Sequence, residues 1–171
     1  GLISSVGAGM TDSKLPDAQS GFEKGISVAM AALAGCNGIS ESSGMLASLM
    51  GCSYESLVID NEMLGVVMRT VKGIEVSDET LSLEVIKESV FGDGHFLRSG
   101  QTLEKMKSEY FYPEILDRKS QLDWKEEGSL DIRKRAEIKV KQILENHTPF
   151  YIDKTADSLI RQKFPIQIDF G

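Results

Sequence analysis

The chain has 171 residues, of which 41% are hydrophobic and 26% are charged. This length is typical of one ordinary domain, and the composition is typical of a soluble globular protein. The formal net charge of −7 argues against non-specific binding to nucleic acid or to anionic membranes, because both depend on a basic surface. No apolar run approaches the roughly 18 residues of a membrane-spanning helix. We therefore expect neither nucleic acid nor a membrane as a partner.

The cysteine and histidine content limits the metal and disulfide chemistry of the chain. Cys36 and Cys52 are too few for a disulfide framework and lack the spacing of a metal-binding motif. We expect two reduced thiols in a cytoplasmic protein. The two histidines lie far from the cysteines, so no zinc site is expected. The sequence also lacks a glycine-rich dinucleotide loop and the nucleophile elbow of serine hydrolases.

A polar segment follows the first apolar run and precedes the first predicted helix. Residues 2–6 are rich in β-branched side chains and predict a buried strand. Pro16 is placed where the first turn of a helix tolerates proline. In barrels and open α/β sheets, ligands bind where such a strand ends, so the polar residues of this turn are candidates for a substrate site. These residues are Thr11, Asp12, Ser13 and Lys14.

A second strand and loop follow the first helix. Apolar residues at three- and four-residue spacing predict a helix over residues 17–34, and Gly35 is suited to end it. Residues 37–40 predict a short strand, and residues 41–46 predict a polar loop. The two strands lie about 35 residues apart, as one β-α-β repeat requires. Ser42 is therefore a candidate of the same kind as the residues of the first turn.

A long helix is predicted over residues 54–71, and Ser53 is suited to cap it. On helical spacing, Asp60 shares a row with apolar residues and should point inward. A buried carboxylate must be paired or hydrogen-bonded, because an isolated buried charge is very costly. Two interpretations stay open: Asp60 and Asn61 bind the backbone of a neighbouring loop, or they contact a substrate or a partner protein.

Another helix is predicted to begin after Ser77 and to end at Gly92. Its predicted buried side comprises Leu81, Val85, Ile86 and Val90. His95 follows in a loop that also contains Gly94. A histidine in such a loop can be a structural hydrogen-bonding group or a functional residue, and both interpretations stay open.

The remaining sequence predicts helices on both sides of a polar linker. A short helix begins at Ser99 or Gly100 and leads into an aromatic cluster at residues 110–112, which we expect to be a packing plug. The segments predicted after it are a polar linker over residues 117–129, a helix from Ser129 to Asn146, a helix over residues 153–163 and a strand over residues 166–170.

Four segments of the sequence resemble blocks of the trimethylamine methyltransferase family, the corrinoid-dependent methylamine methyltransferases. They are MTDSKLPDAQ at residues 10–19, SYESLVIDNE at residues 53–62, GHFL at residues 94–97 and EYFYP at residues 109–113. The blocks occur in the order that the family has, which makes them specific together. The resemblance covers roughly residues 2–120 and fades into the helical tail.

The resemblance implies a fold and an assembly. Members of the family are TIM barrels and are much longer than this chain. The implied fold class is therefore α/β, with the last βα units of a TIM barrel in residues 1–116. Residues 117–171 would be a polar linker and a C-terminal helical extension. A first residue other than Met fits a fragment of a larger barrel. A partial barrel exposes open strand edges, so we expect a homo-oligomer.

The resemblance also implies an activity, in which a methyl group moves from a methylated amine to the Co(I) of a cognate corrinoid protein, as in methanogenesis. The corrinoid belongs to that partner, and no cofactor or metal is expected on this chain. The substrate-binding candidates are then Thr11, Asp12, Ser13, Lys14, Ser42, Asp60 and His95. No catalytic residue is assigned. Two other classes stay open: a truncated, non-catalytic remnant and a module that docks the corrinoid protein.

The substrate class follows from a departure from the family. Some members carry pyrrolysine, which by the resemblance falls in or near the end of the first strand. Only standard residues occupy that stretch here, which favours a quaternary amine such as glycine betaine over trimethylamine. A quaternary ammonium has no N–H group to donate, so its site needs carboxylates and aromatic faces.

Asp12 and Lys14 have two possible roles in the turn. In the functional interpretation, Asp12 faces the cationic substrate, and Lys14 pairs with Asp12 or Asp17 and holds the turn. In the alternative, Asp12 caps the helix that follows. Because most of a barrel is absent, we expect this chain alone to have no methyltransferase activity.

Overall fold

The computed structural model describes residues 1–147 and 151–166. Within these residues, the strands are β1 (Ser5–Gly7), β2 (Gly38–Ser40), β3 (Met45–Leu46) and β4 (Gly51–Cys52). The helices are α1 (Ala18–Leu33), α2 (Tyr54–Lys72), α3 (Asp78–Leu81), α4 (Leu83–Phe91), α5 (Gly100–Ser108), α6 (Gln121–Glu126), α7 (Ile132–Asn146) and α8 (Lys154–Lys163). This mixture of helices and strands is compatible with the predicted α/β class. Among the described helices, none combines the length and the apolar character that crossing a membrane requires.

The β1–α1–β2 segment is a parallel β-α-β unit, as predicted. Val6 pairs with Ile39 in the centre of the register. The first strand is shorter than predicted, and its predicted burial is wrong, since Leu2 is 96% exposed and Val6 is also exposed. The physical reason is that β1 pairs only with β2 among the described strands. The other two strands, β3 and β4, form a small antiparallel hairpin.

Helix α1 has clear signals at both ends. The Asp17 carboxylate accepts the Ser20 N–H at 3.0 Å and caps the first turn. Pro16 therefore lies one residue before the cap, and its predicted place inside the first helical turn is wrong. At the other end, Gly35 has a φ of +84° and the Cys36 N–H donates back to the helix, so the predicted end at Gly35 is confirmed.

Helix α2 lies between α1 and α7 and forms the centre of the packed part of the chain. It begins after Ser53, whose hydroxyl accepts the Ser56 N–H, as the sequence predicted. On one side, Val67 packs with Ala8 and with Val28 of α1. The residues of α7 that are buried are Ala136 and Val140.

Residues 114–116 are held between α2 and α7 by buried polar groups. The Glu62 carboxylate of α2 accepts the backbone N–H groups of Glu114 and Leu116. The Arg135 guanidinium of α7 donates to the Ile115 carbonyl oxygen at 2.6 Å. These bonds place the segment before the predicted tail in direct contact with both helices.

The α3–α5 segment (residues 73–112) differs from the sequence prediction. Ser77 caps its first helix as predicted, with a reciprocal bond to Thr80. The predicted single helix is divided at Ser82, which has a φ of +55°. Its predicted buried side is wrong, because α3, α4 and α5 contain no buried residue. No other described element covers these helices closely enough to exclude water from their apolar side chains.

The aromatic cluster after α5 is mostly exposed. Tyr110 and Tyr112 are exposed, at 67% and 63%, so the predicted packing plug is wrong for both tyrosines. Phe111 is half-buried and lies against Gly65 of α2, where an added Cβ would come within 2.4 Å of Phe111 Cζ. The absence of a side chain at position 65 therefore allows this one aromatic contact.

The C-terminal region contains more helix than predicted. The predicted polar linker over residues 117–129 contains α6. Helix α7 begins after Asp131 rather than Ser129, because the Asp131 carboxylate accepts the Lys134 N–H while Ser129 has a φ of +55°. The predicted helix over residues 153–163 is confirmed. The predicted strand over residues 166–170 falls outside the described residues, apart from Ile166.

Candidate functional site

The carboxyl ends of β1 and β2 lie side by side and bring two polar segments together. The first turn (residues 9–14) follows β1, and the second loop (residues 41–44) follows β2. The Ala8 N–H donates to the Ser40 carbonyl oxygen at 3.1 Å, which continues the strand pairing to the edge. At Gly9, with a φ of +92°, an added Cβ would lie 2.6 Å from the Ser42 Cα. The backbone of the first turn is therefore packed directly against Ser42.

Buried hydroxyl groups attach the first turn to helix α1. The Thr11 hydroxyl donates to the Glu23 carboxylate at 2.5 Å, and the same carboxylate accepts the Asp12 N–H at 2.9 Å. The Ser13 hydroxyl donates to the capping carboxylate of Asp17 at 2.9 Å. Thr11 and Ser13 are buried, and the bonds of their side chains hold the turn.

The two carboxylates behind the turn are held in their charged form. Hydrogen bonds from the Thr11 hydroxyl, then from Gln19 and the Asp12 N–H, lower the pKa of Glu23 below its usual 4.5. The Ser20 N–H, followed by the Ser13 hydroxyl, lowers the pKa of Asp17 below its usual 3.8. Both groups are therefore deprotonated at neutral pH and contribute negative charge near the first turn.

The tip of the β3–β4 hairpin (residues 47–50) is bonded to the first turn. The Ala47 N–H donates to the Ser13 carbonyl oxygen at 2.8 Å, and the Ser48 N–H donates to the Thr11 carbonyl oxygen at 2.9 Å. The Ser48 hydroxyl also donates to the Asp12 carboxylate. The hairpin therefore fixes the direction of the Asp12 side chain at the protein surface.

Asp12 and Lys14 are exposed, and the structure corrects two predictions about them. Asp12 does not cap α1, because Asp17 has that role. Lys14 does not pair with the carboxylate of Asp12 or Asp17. Its ammonium group donates instead to the Asp12 backbone carbonyl oxygen at 2.8 Å. Lys14 thus stabilises the turn through the backbone and leaves the Asp12 carboxylate free of a described cation.

Asp60 lies behind the second loop in a buried polar cluster with Lys24 and Ser56. Lys24 is 1% exposed and Asp60 is 4% exposed, and their Nζ–Oδ2 distance is 2.6 Å. Asp60 Oδ2 also accepts the Gly44 N–H at 2.7 Å. The inward direction of Asp60 is confirmed, and its contact is with the backbone of a neighbouring loop. Asn61, in contrast, is exposed.

Neither Lys24 nor Ser56 was predicted to belong to this cluster. A signal was present in α1, because Lys24 lies midway between Ser20 and Val28 on one helical row and both neighbours are buried. In α2, Ser56 lies four residues before Asp60, and its hydroxyl donates to the Asp60 carboxylate at 3.1 Å. Helical periodicity therefore indicated the positions of Lys24 and Ser56, but it did not indicate that they meet at Asp60.

His95 is not joined to the other candidates. It is exposed in the segment between α4 and α5, and no described hydrogen bond or ion pair links that segment to the first turn. Cys36 and Cys52 are free thiols. Over the described ranges, no group of three His, Cys, Asp or Glu side chains is arranged to hold a metal ion.

The described surface also has two clefts, of which one borders the first turn. One, of about 530 Å³, runs between the first turn and α7 and is lined by Lys14, Leu15, Glu55 and Arg133, among others. The other, of about 540 Å³, lies between the end of α2 and helix α5 and includes Arg69. Asp12 lines neither of these clefts, and it is exposed at the edge of the parallel strands.

Comparison with known proteins covers nearly the whole chain. Residues 1–164 match the family model described as trimethylamine methyltransferase. The chain is similar to a glycine betaine methyltransferase of Desulfitobacterium hafniense strain Y51, at 33% identity over 161 residues. It is also similar to the trimethylamine methyltransferases MttB of Methanosarcina thermophila, at 41% over 154 residues, and of D. hafniense strain DSM 10664, at 38% over 148 residues.

These matches cover most of this chain but a much smaller part of each relative. They cover 94%, 90% and 86% of this chain but 33%, 31% and 29% of the three relatives. The chain therefore spans about a third of the length of the curated relatives it matches. The family match extends to residue 164. The expected fading of the resemblance near residue 120 is therefore wrong.

Proposed function

Because the chain belongs to the trimethylamine methyltransferase family, we propose that it forms part of an enzyme that transfers a methyl group from a methylated amine. The acceptor would be the Co(I) of a corrinoid that a separate protein carries. Its relatives include a glycine betaine methyltransferase and trimethylamine methyltransferases. This chain would contribute residues that hold the amine, and the corrinoid would stay on the partner.

The β1–α1–β2 unit supports a proposal for the fold of the whole enzyme. Its parallel register and its connecting helix are those of one βα repeat. We propose that this chain supplies the last βα units of a TIM barrel. In such a barrel the substrate binds at the carboxyl ends of the strands, where the first turn and the second loop meet. The other strands would complete the wall of the site.

The observation that carries the proposed function is the Asp12 carboxylate. It is exposed at the carboxyl end of β1, its direction is fixed by Ser48, and it has no described cation as a partner. Glu23 and Asp17 add negative charge behind it. A quaternary ammonium offers no N–H group for a hydrogen bond, so charge attraction and aromatic faces are the available means of recognition. The aromatic faces would come from the rest of the enzyme.

The test is Asp12→Asn in the full-length protein. This change keeps the shape of the side chain and its bond from Ser48 but removes the charge. Affinity for glycine betaine, measured by titration calorimetry, should fall at least about tenfold, or about 1.4 kcal/mol, with little change in Tm. Asp117→Asn, which changes an exposed carboxylate outside the turn, is the matched control. A loss of stability with unchanged affinity would make the turn a scaffold only.

We propose glycine betaine, or a related quaternary amine, as the substrate in preference to trimethylamine. The first turn consists of standard residues, and a relative named for glycine betaine matches 94% of the chain. Both amines should be titrated into the same full-length protein. Tighter binding and faster turnover with trimethylamine would overturn this preference.

We propose that this chain alone has no methyltransferase activity, because the relatives are about three times as long. The experiment combines the chain with glycine betaine and a corrinoid partner in the Co(I) state and follows cobalt methylation by absorbance. Robust turnover would contradict the proposal. Binding of the corrinoid protein by the chain, together with an absence of amine binding by the full-length protein, would instead support a docking module.

We propose that the chain associates with further copies of itself. Large apolar side chains are exposed along α1 and along the α3–α5 segment, and such surfaces rarely stay in contact with water. The most exposed of them include Phe22, Met30, Leu83, Phe91 and Leu97. Light scattering at tens of micromolar, roughly the range where exposed surfaces associate, should give at least a dimer mass. A strictly monomeric species would contradict the proposal.

A further inference from the structure

We infer that Asp60 is a positioning residue, which sets the place of the second loop in the amine site by binding the Gly44 amide. This inference rests on the proposed function, since it assigns a role to a residue behind the same site. Asp60 is buried and does not face solvent, so it acts through the loop rather than on the substrate.

One carboxylate oxygen is the point on which three structural elements converge. Asp60 Oδ2 accepts bonds from Lys24 Nζ at 2.6 Å, from the Gly44 N–H at 2.7 Å and from the Ser56 hydroxyl at 3.1 Å. Lys24 belongs to α1, Ser56 and Asp60 belong to α2, and Gly44 ends the second loop. The oxygen therefore connects the loop to the two helices that form the core.

The place of Gly44 is tightly constrained by its surroundings. It has a φ of +79°, and an added Cβ would lie 2.5 Å from Leu57 Cδ2. Its N–H group is buried and has Asp60 as its acceptor. A buried N–H group without an acceptor is costly, so removal of the carboxylate favours a shift of the loop that returns this amide to water.

A shift of the second loop would separate it from the first turn. The backbone of Gly9 is packed against Ser42, two residues before Gly44. The Gly9 N–H also donates to the Ser27 hydroxyl of α1 at 3.1 Å, so the turn cannot follow the loop without losing that bond. Separation of the two segments would move the Asp12 carboxylate relative to the wall that the second loop provides.

Lys24 neutralises the buried carboxylate and makes this arrangement possible. An ionised carboxylate without a partner is very costly in the protein interior, and the Lys24 ammonium group offsets its charge. Lys24 is itself 1% exposed and also donates to the Ser56 hydroxyl at 2.8 Å. It has no route to the substrate, so its contribution is also one of position.

Two double variants of the full-length protein separate positioning from folding. Lys24→Met with Asp60→Asn removes both charges but keeps an amide oxygen that accepts the Gly44 N–H. Lys24→Met with Asp60→Leu removes both charges and the acceptor. Neither variant leaves an unpaired buried charge, so both should fold. The matched pair differs at one position, in whether the Gly44 amide and the Ser56 hydroxyl have an acceptor.

Two readouts are expected to differ between the variants. The variant with leucine should bind glycine betaine at least about tenfold more weakly than the variant with asparagine. Hydrogen exchange of the peptide that contains Gly44, measured by mass spectrometry, should also be at least about tenfold faster in the variant with leucine. Restoration of affinity by asparagine is the signature of positioning, because the two variants share the loss of the ion pair.

Equal Gly44 exchange and equal affinity in the two double variants would overturn the inference. Failure of the proposed function gives a different result, in which the wild-type protein does not bind amines or Asp12→Asn leaves affinity unchanged. The exchange readout does not depend on amine binding. A faster Gly44 exchange in the leucine variant therefore supports only the hold of Asp60 on the loop, and equal affinity of the two variants beside it would overturn the positioning role.

Discussion

The layer formed by α1, α2 and α7 differs from the α3–α5 segment (residues 73–112) in that it buries side chains, although large apolar side chains such as Phe22 and Met30 are exposed in the layer too. In the layer, charged groups such as Lys24, Asp60 and Glu62 are buried, and each has hydrogen-bond partners. In the segment, no residue is buried and large apolar side chains face solvent. The difference shows that helix formation and burial are separate events in this chain.

The helices of the segment form from local signals, whereas those of the layer also have a partner surface. Helix α3 has a reciprocal cap between Ser77 and Thr80, although it buries none of its residues. Helix α2 lies between α1 and α7 and buries residues that include Ser56, Asp60 and Val67. Apolar patterning in the segment therefore identifies a surface that needs a partner, and the rest of the enzyme or another copy of the chain would supply it.

The largest contrast between the two regions should come from the removal of one carboxylate in each. Asp60→Ala leaves the buried Lys24 ammonium group unpaired and should lower the free energy of unfolding by about 3–5 kcal/mol. Asp93→Ala removes an ion pair with Arg98 whose side chains are more than half exposed, and should cost less than about 1 kcal/mol. Urea unfolding followed by circular dichroism measures both. Similar losses would remove the distinction between the regions.

A smaller contrast is expected at two helical glycines. At Gly65, an added methyl group meets Phe111, so Gly65→Ala should destabilise by about 1–3 kcal/mol, less the gain of about 1 kcal/mol in helix propensity. At Gly25 of α1, nothing lies within 4 Å of an added Cβ. Gly25→Ala should therefore stabilise by up to about 1 kcal/mol.

Thermal unfolding of the two glycine variants shows directly whether each substitution raises or lowers stability. Phe111→Leu in the Gly65→Ala background should recover part of the loss, because the shorter side chain leaves room for the methyl group. A stabilised Gly65→Ala variant would show that Phe111 moves away without cost. The contact between α2 and the end of the α3–α5 segment would then contribute little to stability.

The smallest effect should be the contribution of Glu23, at the edge of the layer, to the pH dependence of stability. The Thr11 hydroxyl lowers the pKa of Glu23 below 4.5 in the folded chain. A lowered folded pKa gives stability that is present above the usual pKa and is lost as the pH falls through the folded pKa. Glu23→Gln should therefore lose less stability than the wild-type chain between neutral pH and the acid range below 4.5.

The control for this pH dependence is Glu84→Gln in the α3–α5 segment. Glu84 lies 3.9 Å from Lys87, and both side chains are largely exposed, so solvent screens their interaction. Its substitution should change the pH dependence of unfolding less than Glu23→Gln does. An equal change for both variants would show that the bonds from Thr11 and Asp12 do not hold the Glu23 charge.

Signals within short stretches of the sequence were sufficient to predict the local features of the chain. They predicted the order of β1, α1 and β2, the caps at Ser53 and Ser77, the end of α1 at Gly35, the helix after Asp153 and the family. These features depend on residues that are neighbours in the chain, so their signals are contained in short segments. The inward direction of Asp60 was also predictable, because helical periodicity is local.

The burial of residues and the pairing of distant polar groups depend on how the helices pack together. The partner of Asp60 is Lys24, 36 positions away on another helix, and the sequence contains no signal for that pairing. The apolar side of α4 and the tyrosines after α5 carry patterns typical of a core, yet they face solvent. The physical reason is that burial is a property of two surfaces in contact, whereas a sequence pattern describes only one of them.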